Sequence, residues 1–163
     1  NMIGVIGTQA TISSQSYHEA LITATTTNQS YQLISLACPL FVPLVEEGWE
    51  NTEITHKIAQ KYFTHFQAYK NLDTLILGCT HYPILRPMIQ KVFTDSGYTH
   101  LSFIECGDAV ATKLKSWLNN NINQKTLRNN QDLFFVTDTS HKFEELANKF
   151  LGYKISNIQV ISL

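Results

Sequence analysis

The densest group of chemically reactive side chains lies at residues 78–83, Gly-Cys-Thr-His-Tyr-Pro. Cys79 stands two residues before His81, directly after an apolar run, and Pro83 is suited to open a helix. The amino end of a helix and a neighbouring imidazole both favour a thiolate over a thiol. A thiolate at this position would serve as a nucleophile, a metal ligand or a general base, and a buried, inert cysteine is the alternative.

The other two cysteines carry weaker signals. Cys38 follows a predicted strand and is expected to be a small buried residue. Cys106 precedes Gly107 and Asp108 and is expected mainly to begin a helix. Because the cysteines form no C-x-x-C pair and the other histidines are scattered, the sequence predicts free thiols and no metal site.

Two further loops contain polar groups that could bind a ligand. Residues 7–14, Gly-Thr-Gln-Ala-Thr-Ile-Ser-Ser, offer hydroxyls and amides that would either cap a helix or hold a carboxylate or phosphate. Residues 38–49 form an apolar segment that ends in Glu46 and Glu47. The sequence leaves open whether Glu46 faces solvent or points into a cleft. The chain contains neither G-x-G-x-x-G nor a P-loop, so a nucleotide site is not predicted.

The elements that must position these groups alternate between strands and helices. Short β-branched runs predict strands at 3–6, 32–37, 72–77, 101–104, 133–136 and 158–161. Helical periodicity predicts helices at 14–26, after a cap at 51–53, from Pro83 onward, and at 108–118 and 139–151. Strict alternation predicts an α/β fold with a parallel, doubly wound sheet and right-handed crossovers. Ligands of such folds bind beyond the carboxyl ends of the strands, where the candidate residues stand.

Composition limits the classes of function. Charged residues make up 15% of the chain and hydrophobic residues 44%, which predicts a folded domain. A net charge of −1 lacks the excess of basic residues that nucleic-acid binding needs. The sequence contains neither a long apolar span nor a secretory signal, so a soluble, cytoplasmic protein without membrane contact is expected.

Three motifs, taken together, resemble one enzyme family. They are Gly-Thr-x-x-Thr-Ile-x-Ser-x-x-Tyr at residues 7–17, Cys-Pro-Leu-Phe-Val-Pro-Leu-Val-Glu-Glu-Gly at 38–48, and Leu-Ile-Leu-Gly-Cys-Thr-His-Tyr-Pro at 75–83. In this order and spacing they resemble glutamate racemases. Residues 135–152 are similar to the carboxyl-terminal segment of that family, so the resemblance covers essentially the whole chain.

The resemblance implies a mechanism and a set of roles. Glutamate racemases need no cofactor and use two cysteines on opposite faces of the substrate, one removing the α-proton and the other delivering a proton. Cys79 would be the second of these cysteines, the base toward L-glutamate, and His81 would tune it or relay its proton. Thr80 and Thr8 would bind the substrate, Glu46 would lie at the site rim or assist the ammonium group, and Thr11 is a weaker candidate. The D-glutamate product would supply peptidoglycan for cell-wall biogenesis and cell shape.

The sequence also departs from the family. The family's amino-terminal half carries the other cysteine in a Cys-Asn-Thr segment, which this sequence lacks. We therefore expect a fragment, inactive alone, whose missing partner is the amino-terminal half of the same protein. Residues 1–122 would form the domain that contains Cys79, and residues 130–163 would return to complete the other domain. Without its partner strands that segment would expose an apolar sheet edge through which a homo-oligomer could form.

Two other functions stay open at this level. Aspartate and hydantoin racemases resemble glutamate racemases in fold and in using two cysteines. The segments at 39–46 and 78–83 nevertheless favour glutamate as the substrate. A ligand-binding module with one thiol and no turnover is the alternative from a different class. Exchange of the α-proton of L-glutamate, lost when Cys79 is replaced, would distinguish catalysis from binding.

Overall fold

The computed structural model describes residues 1–24, 30–121, 132–138 and 141–162. The chain divides into two compact units, Asn1–Lys113 and Leu114–Leu163. Seven α-helices and six strands alternate along these described ranges. The elements up to the unit boundary are β1 (Met2–Gly7), α1 (Gln9–Ser13), α2 (Ser16–Ala24), β2 (Gln32–Ala37), α3 (Phe41–Glu46), α4 (Glu53–Phe63), a 3-10 turn (Thr64–Phe66), β3 (Thr74–Leu77), α5 (Tyr82–Asp95), β4 (Ser102–Glu105) and α6 (Cys106–Asn121), which crosses the boundary.

The first unit is built on a four-stranded sheet in the order β2-β1-β3-β4. All its strand pairs are parallel, with Ile6 opposite Leu36 on one side and opposite Leu77 on the other. The predicted parallel α/β fold is thereby confirmed. The chain runs outward from β1 to β2 and then crosses to the other side for β3, so the winding direction reverses between β1 and β3.

The hydrophobic core lies on one face of this sheet. Successive strand residues point to opposite faces, so Ile6 packs into the core cluster while Val5 faces the other way. Apolar residues of α3, α4 and α5 fill the core, among them Phe41, Phe63 and Leu85, each at most 5% exposed. This packing holds the beginning of α5 against the carboxyl end of β3.

The predicted helix at 14–26 is wrong in detail. Helix α2 begins only at Ser16, and a separate short helix, α1, ends at Ser13 just before the predicted range, so Ser14 and Gln15 separate the two. Gln15 has a φ of 55°, in the left-handed region, which interrupts the helical hydrogen-bond ladder. Residues 25 and 26 of the predicted helix lie outside the described residues.

The other predictions for this unit differ mainly at the element ends. The strand predicted at 72–77 begins at Thr74, and the carboxylate of Asp73 just before it accepts hydrogen bonds from the Met2 amide and the Thr74 hydroxyl. The helix after the predicted cap ends at Phe63 and continues only as the 3-10 turn, and Thr52 is its capping residue. Helix α3 was not predicted, because its residues are almost all apolar and show no pattern of apolar and polar residues at helical spacing.

The second unit contains β5 (Phe134–Val136), α7 (His141–Leu151) and β6 (Ile158–Val160). The two strands pair in parallel, with Phe134 opposite Ile158, so α7 is their crossover. Ile155 is buried, and its amide donates to Asn148 Oδ1 at 2.7 Å. Phe135 and Val160 are exposed on the strands. Most of the polar boundary predicted at 119–132 lies outside the described residues, as does Thr139.

Within the described ranges, no helix combines the length and apolar character needed to cross a membrane.

Candidate functional site

The candidate site lies where the winding of the sheet reverses, at the carboxyl ends of β1 and β3. Thr8 directly follows β1, and Gly78 and Cys79 directly follow β3. The Gly78 amide donates to the Ile6 carbonyl at 2.8 Å, which keeps the two strand ends side by side. A crevice at such a reversal is the usual ligand position in open α/β sheets.

A thiol, an imidazole and a carboxylate form a connected series at the end of β3. Cys79 Sγ lies 3.9 Å from His81 Nδ1, and His81 Nε2 lies 3.3 Å from Glu46 Oε1. The His81 side chain is 22% exposed and that of Glu46 is 42% exposed, so the series runs from a half-buried thiol toward solvent. A carboxylate beside one ring nitrogen orients the imidazole, so that the other ring nitrogen faces the thiol.

The start of α5 fixes Cys79 and His81. Tyr82 and Pro83 are its first residues. Proline suits the first helical turn, because amide hydrogens there have no partner within the helix and proline has none to leave unpaired. The buried Tyr82 hydroxyl donates to the Cys38 carbonyl at 2.9 Å. Burial, above all, raises the pKa of Tyr82, so the phenol keeps its proton and remains a donor.

Helix α3 brings Glu46 to His81. Phe41, Leu44 and Val45 of this helix are buried, and the Phe41 ring meets the Tyr82 ring edge to face at 5.3 Å. Glu46 is the last residue of α3, so the anchored helix directs its carboxylate toward the imidazole. Glu46 therefore contacts His81 and remains partly exposed, and its part in binding a substrate stays a prediction.

The predicted threonines take different positions. Thr80 Oγ1 lies 3.4 Å from His81 Nδ1, so Thr80 and Cys79 share the same ring nitrogen. Thr8 caps α1 by accepting the Thr11 amide at 3.2 Å, and the two hydroxyls lie 2.9 Å apart. Thr8 and Thr11 therefore act together as a helix cap, and their binding of substrate stays a prediction.

The Cys38 thiol is buried and stays protonated near neutral pH. It is fully buried, and its Sγ donates weakly to the Leu36 carbonyl at 3.9 Å. Burial raises the pKa of Cys38 to about 12. The expectation that Cys38 is a small buried residue is confirmed.

A second pair of side chains near Cys79 was missed by sequence reasoning. The Tyr17 hydroxyl lies 2.9 Å from Cys106 Sγ, although the two residues are 89 positions apart. Cys106 is the first residue of α6, as its expected helix start implies. Each of the two residues has a local sequence signal of its own, but no spacing rule connects residues so far apart.

Among the described residues, no group of three or more His, Cys, Asp or Glu side chains is arranged to hold a metal ion.

Comparison with known proteins gives one consistent family. The chain is 38% identical over 163 residues to a glutamate racemase of Chlorobaculum parvum, covering 99% of this chain and 57% of that protein. It is 42% identical over 150 residues to a glutamate racemase of Sulfurihydrogenibium sp., covering 92% and 52% of the two chains. The crystal structure of glutamate racemase from Francisella tularensis in complex with D-glutamate matches with a TM-score of 0.85 at 33% sequence identity. The match covers 99% of this chain and 58% of that one.

The chain thus spans somewhat more than half the length of the curated relatives it matches. No protein-family model matches the chain.

Proposed function

Because the chain is homologous to glutamate racemases over somewhat more than half of their length, we propose that it is the part of such an enzyme that carries one of its two catalytic cysteines. The reaction is the interconversion of L-glutamate and D-glutamate. The observation that carries the proposal is the series Cys79–His81–Glu46 at the reversal of the sheet. Glutamate as the ligand is supported by the D-glutamate bound to the Francisella tularensis relative.

Cys79 is proposed as the base that removes the α-proton of L-glutamate. The α-proton is weakly acidic, so the base must be ionised, close to the proton and aligned with it. The proton passes from the α-carbon to Cys79 Sγ, and His81, supported by Glu46, accepts or stabilises the charge change at the thiol. In the reverse direction the Cys79 thiol returns a proton to the same face of the substrate.

Inversion also needs an acid on the opposite face, since one base alone would only return the starting isomer. Cys38 does not suit this role, because it is buried and burial keeps it protonated. Cys106 does not suit it either, because its Sγ is engaged by Tyr17. We propose that the opposing thiol is contributed by sequence outside this chain, in keeping with the partial coverage of the relatives.

The remaining roles are proposed on the same basis. Thr80 stands beside Cys79 and is proposed to bind the substrate. Thr8 after β1, Thr11 in α1 and Glu46 at the site rim are proposed to bind it as well. The chemistry needs only proton transfer, so the enzyme is proposed to work without a cofactor and to provide D-glutamate for peptidoglycan. A cytoplasmic location is proposed because Cys38, Cys79 and Cys106 are all free thiols, as in a reducing compartment.

Racemisation of glutamate by the full-length protein encoded by the gene tests the proposal. Circular dichroism of L-glutamate solutions should decay to zero as the racemic mixture forms. Cys79→Ala should abolish this decay, whereas Cys38→Ala, which removes a buried thiol, should retain it even if the protein unfolds at a lower temperature. Glutamate binding without racemisation by the wild-type protein would contradict the proposal and favour a binding module.

A further inference from the structure

The Tyr17 ring covers the residue that immediately precedes Cys79. A side chain added at Gly78 would place its Cβ 3.0 Å from Tyr17 Cε2 and 3.2 Å from the Tyr17 hydroxyl oxygen, besides meeting the Ile6 carbonyl at 2.9 Å. The ring and the Gly78 backbone are therefore in close contact, and only glycine leaves room for both. The left-handed Gln15 sets the direction in which α2, and Tyr17 in its first turn, begins.

The Tyr17 hydroxyl is itself held in place. It lies 2.9 Å from Cys106 Sγ, and the same sulfur lies 3.7 Å from the Leu77 carbonyl, within the range of a weak thiol hydrogen bond. Cys106 thus contacts Leu77, the last residue of β3, and Tyr17 contacts Gly78, which connects β3 to Cys79. The contact between Tyr17 and Cys106 therefore joins the first turns of α2 and α6 beside the end of β3.

The hydroxyl also lies within electrostatic reach of the reactive thiol. Burial raises the pKa of Tyr17, and the neighbouring Cys106 and Cys79 raise it further. The phenol therefore stays protonated over the range in which a thiol ionises, and it keeps a hydrogen to share with Cys106.

We infer that Tyr17, latched by its hydrogen bond to Cys106, is a positioning residue that holds the Cys79 loop against His81. Its effect on turnover rests on the proposed function, whereas its effect on the thiol does not. The Cys79–His81 separation of 3.9 Å is long for a hydrogen bond, so a small displacement of the loop would uncouple the two groups. Misplacement of a reacting group by about 1 Å can cost on the order of a hundredfold in rate.

A cavity lies beside the Tyr17 ring. Tyr17 forms part of its wall, together with residues that include Thr11, Gln15, His18 and Ser35, and its volume is about 300 Å³. We expect that a ring without the bond to Cys106 would turn away from Gly78 toward this space. The loop before Cys79 would then lose its cover.

The pH dependence of Cys79 alkylation by iodoacetamide tests this inference on the full chain. Each cysteine is followed separately by the mass of its peptide. In Tyr17→Phe, which keeps the ring and removes the hydroxyl, we expect the Cys79 rate at pH 7 to fall by a factor of about 3 to 10, the effect of one hydrogen bond. The pH profile of the Cys79 rate should change with it, because the sulfur is no longer held 3.9 Å from His81 Nδ1.

Variants of Cys106 make the test independent of any one substitution. Cys106→Ala should reproduce the Tyr17→Phe profile, and the double variant should add nothing further, since both changes break the same bond. Cys106→Ser, unlike Cys106→Ala, offers the phenol a hydroxyl oxygen as hydrogen-bond partner and should therefore keep the wild-type profile. Tyr98→Phe is the matched control, because it removes a tyrosine hydroxyl that donates to the Phe66 carbonyl in the core, and it should lower stability without moving the profile.

An unchanged Cys79 profile in both Tyr17→Phe and Cys106→Ala would overturn the inference, as would a shift of equal size in Tyr98→Phe. If Tyr17→Phe fails to fold, Cys106→Ala and Cys106→Ser decide the matter. A shifted profile in a protein that does not racemise glutamate would uphold the latch and contradict only the proposed function.

Discussion

All three cysteines of the chain follow parallel strands of the same sheet, and two of them, Cys38 and Cys79, have contrasting surroundings. Cys38, after β2, is 0% exposed, and burial raises its pKa to about 12. Cys79, after β3, is half-buried, and its sulfur faces an imidazole that is backed by a carboxylate. The position after a strand is therefore insufficient for reactivity, which depends on the groups that neighbouring elements bring to the thiol.

The two cysteine loops are nevertheless connected. The Cys38 carbonyl accepts the hydrogen bond of the buried Tyr82 hydroxyl, and Tyr82 is the first residue of the helix that follows Cys79. The backbone of Cys38 thus supports the helix that positions Cys79, while the Cys38 thiol itself is buried.

The largest difference is expected in the alkylation of the two thiols. At pH 8 in the folded protein, iodoacetamide should modify Cys79 at least about a hundredfold faster than Cys38, because so little of a thiol with a strongly raised pKa is ionised and its burial also blocks access. Peptide mass spectrometry over time gives both rates. In denaturing urea the two rates should converge, and a large remaining difference would contradict an origin in the fold.

A smaller difference is expected in how stability depends on pH. The pKa of Cys38 rises from 9.0 to about 12 on folding, so the thiol contributes stability below pH 9. That contribution is lost as pH rises toward 12, because the unfolded state ionises first. The full loss would amount to a few kcal/mol, since a tenfold change in an ionisation constant corresponds to roughly 1.4 kcal/mol.

Urea unfolding at several pH values between about 8 and 11 measures this slope. Cys38→Ala should be less stable at pH 8 because of its cavity, yet should lose less stability as the pH rises. An identical slope in the wild-type protein and in Cys38→Ala would show that other groups account for the effect.

The smallest effect is expected from the carboxylate at the end of the series. Glu46→Gln removes the negative charge 3.3 Å from His81 Nε2 and should slow Cys79 alkylation at pH 7 by roughly threefold, since a half-exposed ion pair contributes at most about 1 kcal/mol. Glu53→Gln, a change of the same kind at an exposed carboxylate that pairs with Lys57 at 2.8 Å, is the matched control and should leave the rate unchanged. Equal rates in the two variants would remove Glu46 from the series.

The parts of the site that the sequence could predict are those encoded locally. Cys79 and His81 are two residues apart, and the helix start at Pro83 is a local signal, so their proximity followed from spacing. The strands could be predicted for the same reason, because a parallel, buried strand requires a continuous apolar run. The strand predicted at 32–37 has the observed bounds.

The parts that could not be predicted depend on tertiary structure. Glu46 reaches His81 only because α3 is anchored by Phe41 and Leu44, and that short helix has no periodic signal in its residues. The contact between Tyr17 and Cys106 joins the beginnings of two helices that only the sheet brings together. The break at Gln15 depends on a left-handed backbone angle at a residue that carries no marker for it.

Deuterium exchange at the α-carbon of glutamate, measured in the full-length protein with Cys79→Ser, tests whether Cys79 removes the α-proton of L-glutamate. In D₂O, proton NMR follows the α-proton of L-glutamate and of D-glutamate in separate samples. If Cys79 is the base that faces the L-enantiomer, the variant should stop exchanging L-glutamate while the opposing thiol still exchanges D-glutamate, and racemisation should cease. Continued exchange of L-glutamate at the wild-type rate would show that another group removes its α-proton and would contradict the account.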